Sequence, residues 1–299
     1  MKRAGCLFLA TLPVVVTAVV YFLGPVHPDG REPLGSTVSA APKSRQEAKA
    51  VAEGAADDAA IADAPPGLAA PAKKELAGKI VASAVNSTVD WRSTYGSIKD
   101  IRDGQGYTAG IVGFCTGTHD LLSLVERYTE GHPDNGLARY LPALRDVDGT
   151  DSHEGLDPGF TAAWQAEAEV EAFREAQEEE RDRVYFNPSV RLAKLDGLGT
   201  LGQFIYYDAM VFHGPDTTAN GFYDLRERAL AEADTPAEGG TEEHYLDVFL
   251  DMHRKAIEAK RLDNDTSRVD KALRKFLEDG NFDLDTPLQW QMYGQAYRL

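Results

Sequence analysis

Cysteine is nearly absent from this chain. Its 299 residues hold two, Cys6 and Cys115. Cys6 sits in an N-terminal apolar run, so removal of that run as a leader leaves no intramolecular disulfide. Two cysteines without a neighbouring His or Cys also make no metal site, and no metal or cofactor is expected. Positive charge is short as well: 31 Lys and Arg against 48 Asp and Glu give a net charge of −17 at pH 7. Nucleic acid, with its own dense negative charge, is not an expected partner. An acidic cleft instead concentrates and orients a polycation. Internal repeats are absent too.

The N-terminus reads as an address. Met1-Lys2-Arg3 is basic, and Ala4 to Leu23 is almost wholly apolar, which is the pattern of an export signal. Secretion into the extracellular space is expected first. A membrane anchor is the second choice, because the run approaches spanning length. Residues 1–24 are thus assigned to a signal or anchor. Residues 25–72, rich in Ala, Pro and Asp, have little bulk to bury and read as a disordered spacer. Residues 73–299 form the expected domain. The chain is 43 % hydrophobic, enough for a sizeable core.

Within that domain the apolar spacing is mostly helical. Leu76, Ile80, Val81 and Ala84 predict one helix, and Trp91, Tyr95 and Ile98 predict another amphipathic face. Leu121 to Tyr128 and Leu137 to Leu144 follow, then a polar loop at Asp146 to Asp151 that lacks the full ligand alternation of a calcium loop. Phe160 to Val184 reads as a single long helix with Trp164, Val170 and Phe173 inward and a solvated charged face. Gly197 to Gly202 spells a dinucleotide fingerprint, but a helical pattern rather than a strand precedes it, so that reading is rejected. In the helix from Leu201 to Phe212, Asp208 shares a face with Leu201, Phe204, Ile205 and Phe212. A carboxylate on an apolar face must be paired, so an arginine has to reach it from elsewhere. Tyr245 to Lys260 is a further helix.

The stretch from Val85 to Asp120 concentrates the chemistry. Asp103-Gly104-Gln105-Gly106 is a turn in which glycine frees the backbone beside a carboxylate. Tyr107-Thr108-Ala109-Gly110 and Gly113-Phe114-Cys115-Thr116-Gly117-Thr118-His119-Asp120 follow. Together with Ser83-Ala84-Val85-Asn86-Ser87, Asp90-Trp91, the Glu180 to Phe186 segment and Asp265 to Asp270, these runs resemble the chitosanases of glycoside hydrolase family 46. The resemblance extends from about Glu75 to Tyr297.

It implies a predominantly α, lysozyme-like α+β fold: two lobes, a small β-sheet and a substrate cleft between them. It implies an endo-acting, inverting hydrolase of the β-1,4 links of chitosan, acting as a monomer on chitosan or chitooligosaccharides. By position, Asp103 matches the catalytic base and Thr108 the residue that helps hold the water. Asp120, Tyr185, His213 and Gln105 match substrate-binding positions, Asp120 at a glucosamine ammonium. Asp208 and Arg268 match a supporting ion-pair network. Three positions depart from the pattern. Val85 stands at the general-acid glutamate, Gln105 at an arginine, and His253 at the network's second arginine. Arg254, next along, is turned about 100° away by the helical period. Valine cannot donate a proton. Two expectations follow: a hydrolase of impaired rate, or a chitosan-binding protein that has lost turnover.

Overall fold

A computed structural model describes residues 45–260 and 265–299. The apolar run at Ala4 to Leu23, and with it the export and anchoring expectations, lies outside them. Among the described residues no helix is long and apolar enough to cross a membrane. Lys49–Leu299 forms one compact unit that holds both sheets and every candidate site residue.

The spacer expectation needs correction. Helix α1 spans Arg45–Asp63, and Leu68 is fully buried. Ala-rich sequence is a good helix former even where it has little to bury, and the packed part begins before residue 73. Helix α2, Pro71–Val85, opens with proline at its first position and buries Leu76, Ile80 and Val81, as their spacing predicts. Trp91, Tyr95 and Ile98 do not share a helix. Trp91–Thr94 is a single 3₁₀ turn, and Ile98 opens strand β1, Ile98–Asp100.

Strand β1 pairs antiparallel with β2, Tyr107–Ala109, placing Asp100 opposite Tyr107. Strand β2 pairs with β3, Phe114–Cys115, placing Thr108 opposite Cys115. Helices α3, Asp120–Gly131, and α4, Leu141–Val147, come next. The long helix expected over 160–184 is broken. Helix α5 is Phe160–Glu167 and α6 is Glu171–Arg181, with Val170 extended between them and 43 % exposed rather than inward. At the break the Glu167 carboxylate accepts from Tyr128 Oη at 2.7 Å and from the Gly136 amide at 2.8 Å, and the Ala168 carbonyl accepts from Arg174 Nε. The charged face of α6 is only partly solvated, since Gln177, Glu180 and Arg181 are buried.

A π-helical turn, Asp182–Phe186, leads into α7, Asn187–Leu195. Helix α8, Thr200–His213, is apolar nearly all round and buried along almost its whole length, which makes it the core helix of the fold. It packs against α2, α7, α9 (Phe222–Glu232) and α10 (Glu242–Lys260). Helix α11, Arg274–Glu278, precedes a hairpin of β4, Gln289–Met292, and β5, Gln295–Arg298. The fold is predominantly helical with two small antiparallel sheets.

That terminal hairpin fastens distant segments together. Trp290 Nε1 donates to Ser83 Oγ at 2.9 Å, and Tyr297 Oη donates to the Ser83 carbonyl at 3.2 Å. The Tyr293 amide donates to Ser267 Oγ at 2.8 Å. The last turn of α2, which ends at Val85, is thereby held to the segment carrying Arg268.

Candidate active site

The Asp103 carboxylate rides on the turn between β1 and β2. It is exposed, and its Oδ1 accepts the Gln105 amide at 3.1 Å, a local bond that Asp makes readily in turns. Arg102, Gly104 and Gly106 all have positive φ, so the turn is tight. It leans on the next loop: the Gly117 amide donates to the Gln105 carbonyl at 2.9 Å. A methyl group on Gly117 would sit 2.9 Å from both Gln105 Cα and its carbonyl oxygen. Only glycine permits that approach.

Val85 and Thr108 meet over Gly113. A methyl group there would lie 3.1 Å from Val85 Cγ1 and 3.1 Å from Thr108 Cγ2. Thr108 is half-buried on β2, and its Oγ1 is 3.4 Å from Cys115 Sγ. Burial pushes the Cys115 thiol up to about 12, and Asp120 and Asp103 add to the rise. Val85 and Thr108 therefore flank Gly113, with the buried Cys115 thiol against Thr108.

Asp120 opens α3 and is buried. Its Oδ1 accepts from the Cys115 amide at 2.9 Å, Thr118 Oγ1 at 2.7 Å and the Leu121 amide at 3.0 Å. Its Oδ2 accepts from the Tyr185 hydroxyl. Burial pushes its carboxyl up, and those four hydrogen bonds oppose the rise. The Tyr185 hydroxyl is raised well above the ordinary phenol by burial and by Asp120. Only the remaining lone-pair capacity of Oδ2 is left for a ligand. Thr118 is a member of this cluster that sequence reasoning missed, although a Thr two residues before an Asp is a local signal for such a bond.

A second cluster lies on α8 and α10. Asp208 is fully buried, and the arginine its helical face requires is Arg268. Arg268 Nε donates to Oδ2 at 2.8 Å and Nη2 to Oδ1 at 2.9 Å, the paired geometry that suits a guanidinium. Burial pushes Asp208 up, but the Arg268 guanidinium and then His253 hold it below the ordinary carboxylate range. His253 is also fully buried. Its Nε2 lies 3.6 Å from Asp208 Oδ2, and its Nδ1 is 2.7 Å from His213 Nε2. Arg254 turns away, to Asp270 at 3.1 Å and Glu258 at 2.8 Å. Among the described residues no cluster of His, Cys, Asp and Glu is arranged to hold a metal ion.

The geometry offers an exposed carboxylate on the β1–β2 turn, a half-buried threonine on β2, and a buried carboxylate at the start of α3 that accepts from a tyrosine hydroxyl. Comparison with known proteins gives it a context. The model of glycosyl hydrolase family 46 matches residues 79–288. The chitosanase of Streptomyces sp. (strain N174) is 52 % identical over 231 residues, 77 % of this chain and 83 % of that protein. The chitosanase of Nocardioides sp. (strain N106) is 46 % identical over 273 residues, 91 % of this chain and 98 % of that one. A solved chitosanase complex superposes with a TM-score of 0.77 at 48 % identity, covering 79 % of this chain and all of that one. The family 46 chitosanase of Gynuella sunshinyii, solved with chitotetraose, gives 0.71 at 31 % identity over 76 % of this chain and 96 % of that one. The lysozyme-like fold is shared, and the chain belongs to glycoside hydrolase family 46.

Proposed function

We propose that this chain is a secreted protein that binds chitosan in the cleft over Asp103, Thr108 and Asp120 and hydrolyses it slowly by an inverting route. The observation that carries the reading is Val85, an apolar residue ending α2 against Thr108 and Gly113, where the family motif has its acid. In this mechanism Asp103 takes a proton from a water held near Thr108. The water oxygen attacks the anomeric carbon as the glycosidic C–O bond breaks. The leaving oxygen then takes its proton from solvent, because no positioned acid faces it. Efficient proton donation needs a pKa near the working pH. The Cys115 thiol at about 12 and the still weaker Tyr185 phenol are poor donors. Loss of general-acid assistance costs roughly 10²- to 10⁴-fold in rate.

The binding half of the proposal rests on Asp103 and Asp120, on the −17 charge of the chain, and on relatives solved with glucosamine oligomers. One of those, a Bacillus subtilis chitosanase carrying a glutamate-to-alanine substitution, is crystallised with six glucosamine units. A binding-only reading gains support from the joint changes at Gln105 and His253. Calorimetric titration of a glucosamine hexamer, run beside a reducing-end assay on soluble chitosan, separates these readings. Binding with slow turnover supports the proposal, binding with none supports the second reading, and no binding overturns both.

A further inference from the structure

The two most buried histidines among the described residues face each other, His253 fully buried and His213 at 4 % exposure. Their rings meet through His213 Nε2 and His253 Nδ1 at 2.7 Å. A neutral imidazole has one N–H and one bare lone pair, so this contact uses a proton from one ring and a lone pair from the other. The two outer nitrogens, His213 Nδ1 and His253 Nε2, are both buried without a hydrogen-bond partner. One must carry hydrogen and the other must be bare. The anionic Asp208 lies 3.6 Å from His253 Nε2, so the hydrogen belongs there. His213 then donates to His253, and its own Nδ1 is left as a buried lone pair. The Asn220 backbone beside His213 favours a proton on the ring rather than its absence. The chain of groups from Asn220 through both rings to Asp208 is one proton short.

We propose that His213 and His253 form a single-proton site, neutral near pH 7 and cationic in mild acid, which makes the charge behind the Asp208–Arg268 pair conditional on pH. The groups that face it set the threshold. Asp208 on α8 is the facing anion, and Arg268 already neutralises it. Arg268 and Lys260 are the facing cations, with Lys260 Nζ donating to the His213 carbonyl at 3.2 Å and itself coupled to Asp216. Burial holds both rings below the ordinary histidine range; at His213 the neighbouring His253 and then Lys260 and Arg268 add to the fall, while at His253 Asp208 opposes it and Arg268 adds to it. With folded values depressed, the unfolded chain binds more protons below about pH 6.5, so stability is lost as pH falls through that value.

The test uses the whole chain and no sugar, so its failure leaves the proposed function untouched. Thermal unfolding is followed between about pH 7 and pH 5 for the parent and for His253→Gln, whose amide can serve both neighbours without titrating. Over that range the melting temperature of the parent should fall by about 3 °C or more in excess of the fall seen for His253→Gln. Parallel losses would overturn the proposal. Ring ¹⁵N spectra of the unsubstituted chain give a second arm that needs no substitution. The two rings with slowly exchanging N–H groups should titrate together, with one shared midpoint below about 6.5. Either ring titrating alone at the ordinary histidine value would overturn the proposal too.

Discussion

Asp208 shows how far a single residue can be read. Its place on an apolar helical face demands a buried partner, and Arg268 supplies two hydrogen bonds to its carboxylate. Asp208→Asn leaves the guanidinium buried without its counter-charge, at a cost of about 3–5 kcal/mol. Urea unfolding at neutral pH measures that loss. The gap to the parent should narrow in acid. A carboxyl held below its unfolded value contributes its full stabilisation above about pH 3.9, and that stabilisation is lost as pH falls from there through the folded value. This pair was legible because the helical period alone puts a charge among Leu201, Phe204 and Ile205. The His213–His253 contact was not legible. The two residues are 40 positions apart, on helices whose patterns say nothing of which turns face each other.

At the scale of elements the glycine turns and the terminal hairpin position the site. Gly117 lets the loop before α3 lie against Gln105, and so fixes the turn that carries Asp103. Gly117→Ala drives a methyl into backbone that cannot yield without moving that turn. The expected cost is about 1–3 kcal/mol, with affinity for a glucosamine hexamer falling about tenfold and the helical circular-dichroism signal unchanged. A calorimetric titration of the folded Gly117→Ala protein checks it. Most helices follow from 3.6-residue spacing, as in α2, α8 and α10. The break between α5 and α6 carries no Gly or Pro at residues 168–170. The contacts found there, Glu167 with Tyr128 and Gly136 and the Ala168 carbonyl with Arg174, belong to the tertiary fold. The hairpin's bonds to Ser83 and Ser267 are equally invisible in the local sequence, yet they hold the end of α2 in place.

At the scale of the whole molecule, charge sets the ligand class. A chain at −17 attracts a polycation through a field that salt screens over about 10 Å at 0.1 M. Affinity for glucosamine oligomers should fall steadily with added salt, and N-acetylation, which removes the ammonium, should weaken binding by on the order of tenfold or more. Equal affinity for acetylated and free oligomers at low salt would contradict this. The motif positions and the acidic balance were legible in the sequence. The state of Asp120, already bound by four donors, needed the structure, because three of those donors come from the loop and helix end that fold around it.

The central claim is that a retained cleft lacks its acid. The direct measurement is the rate of reducing-end release from soluble chitosan by Val85→Glu against the parent, after melting curves show both folded. A glutamate at the end of α2 would face Asp103 across the substrate, at the roughly 6.5–9.5 Å carboxylate separation that inversion requires. Partial burial and nearby carboxylates would raise its pKa toward that of a working acid. The account predicts release at least about tenfold faster, with Asp103→Asn in the same background abolishing the gain. A folded Val85→Glu protein no faster than its parent would contradict it.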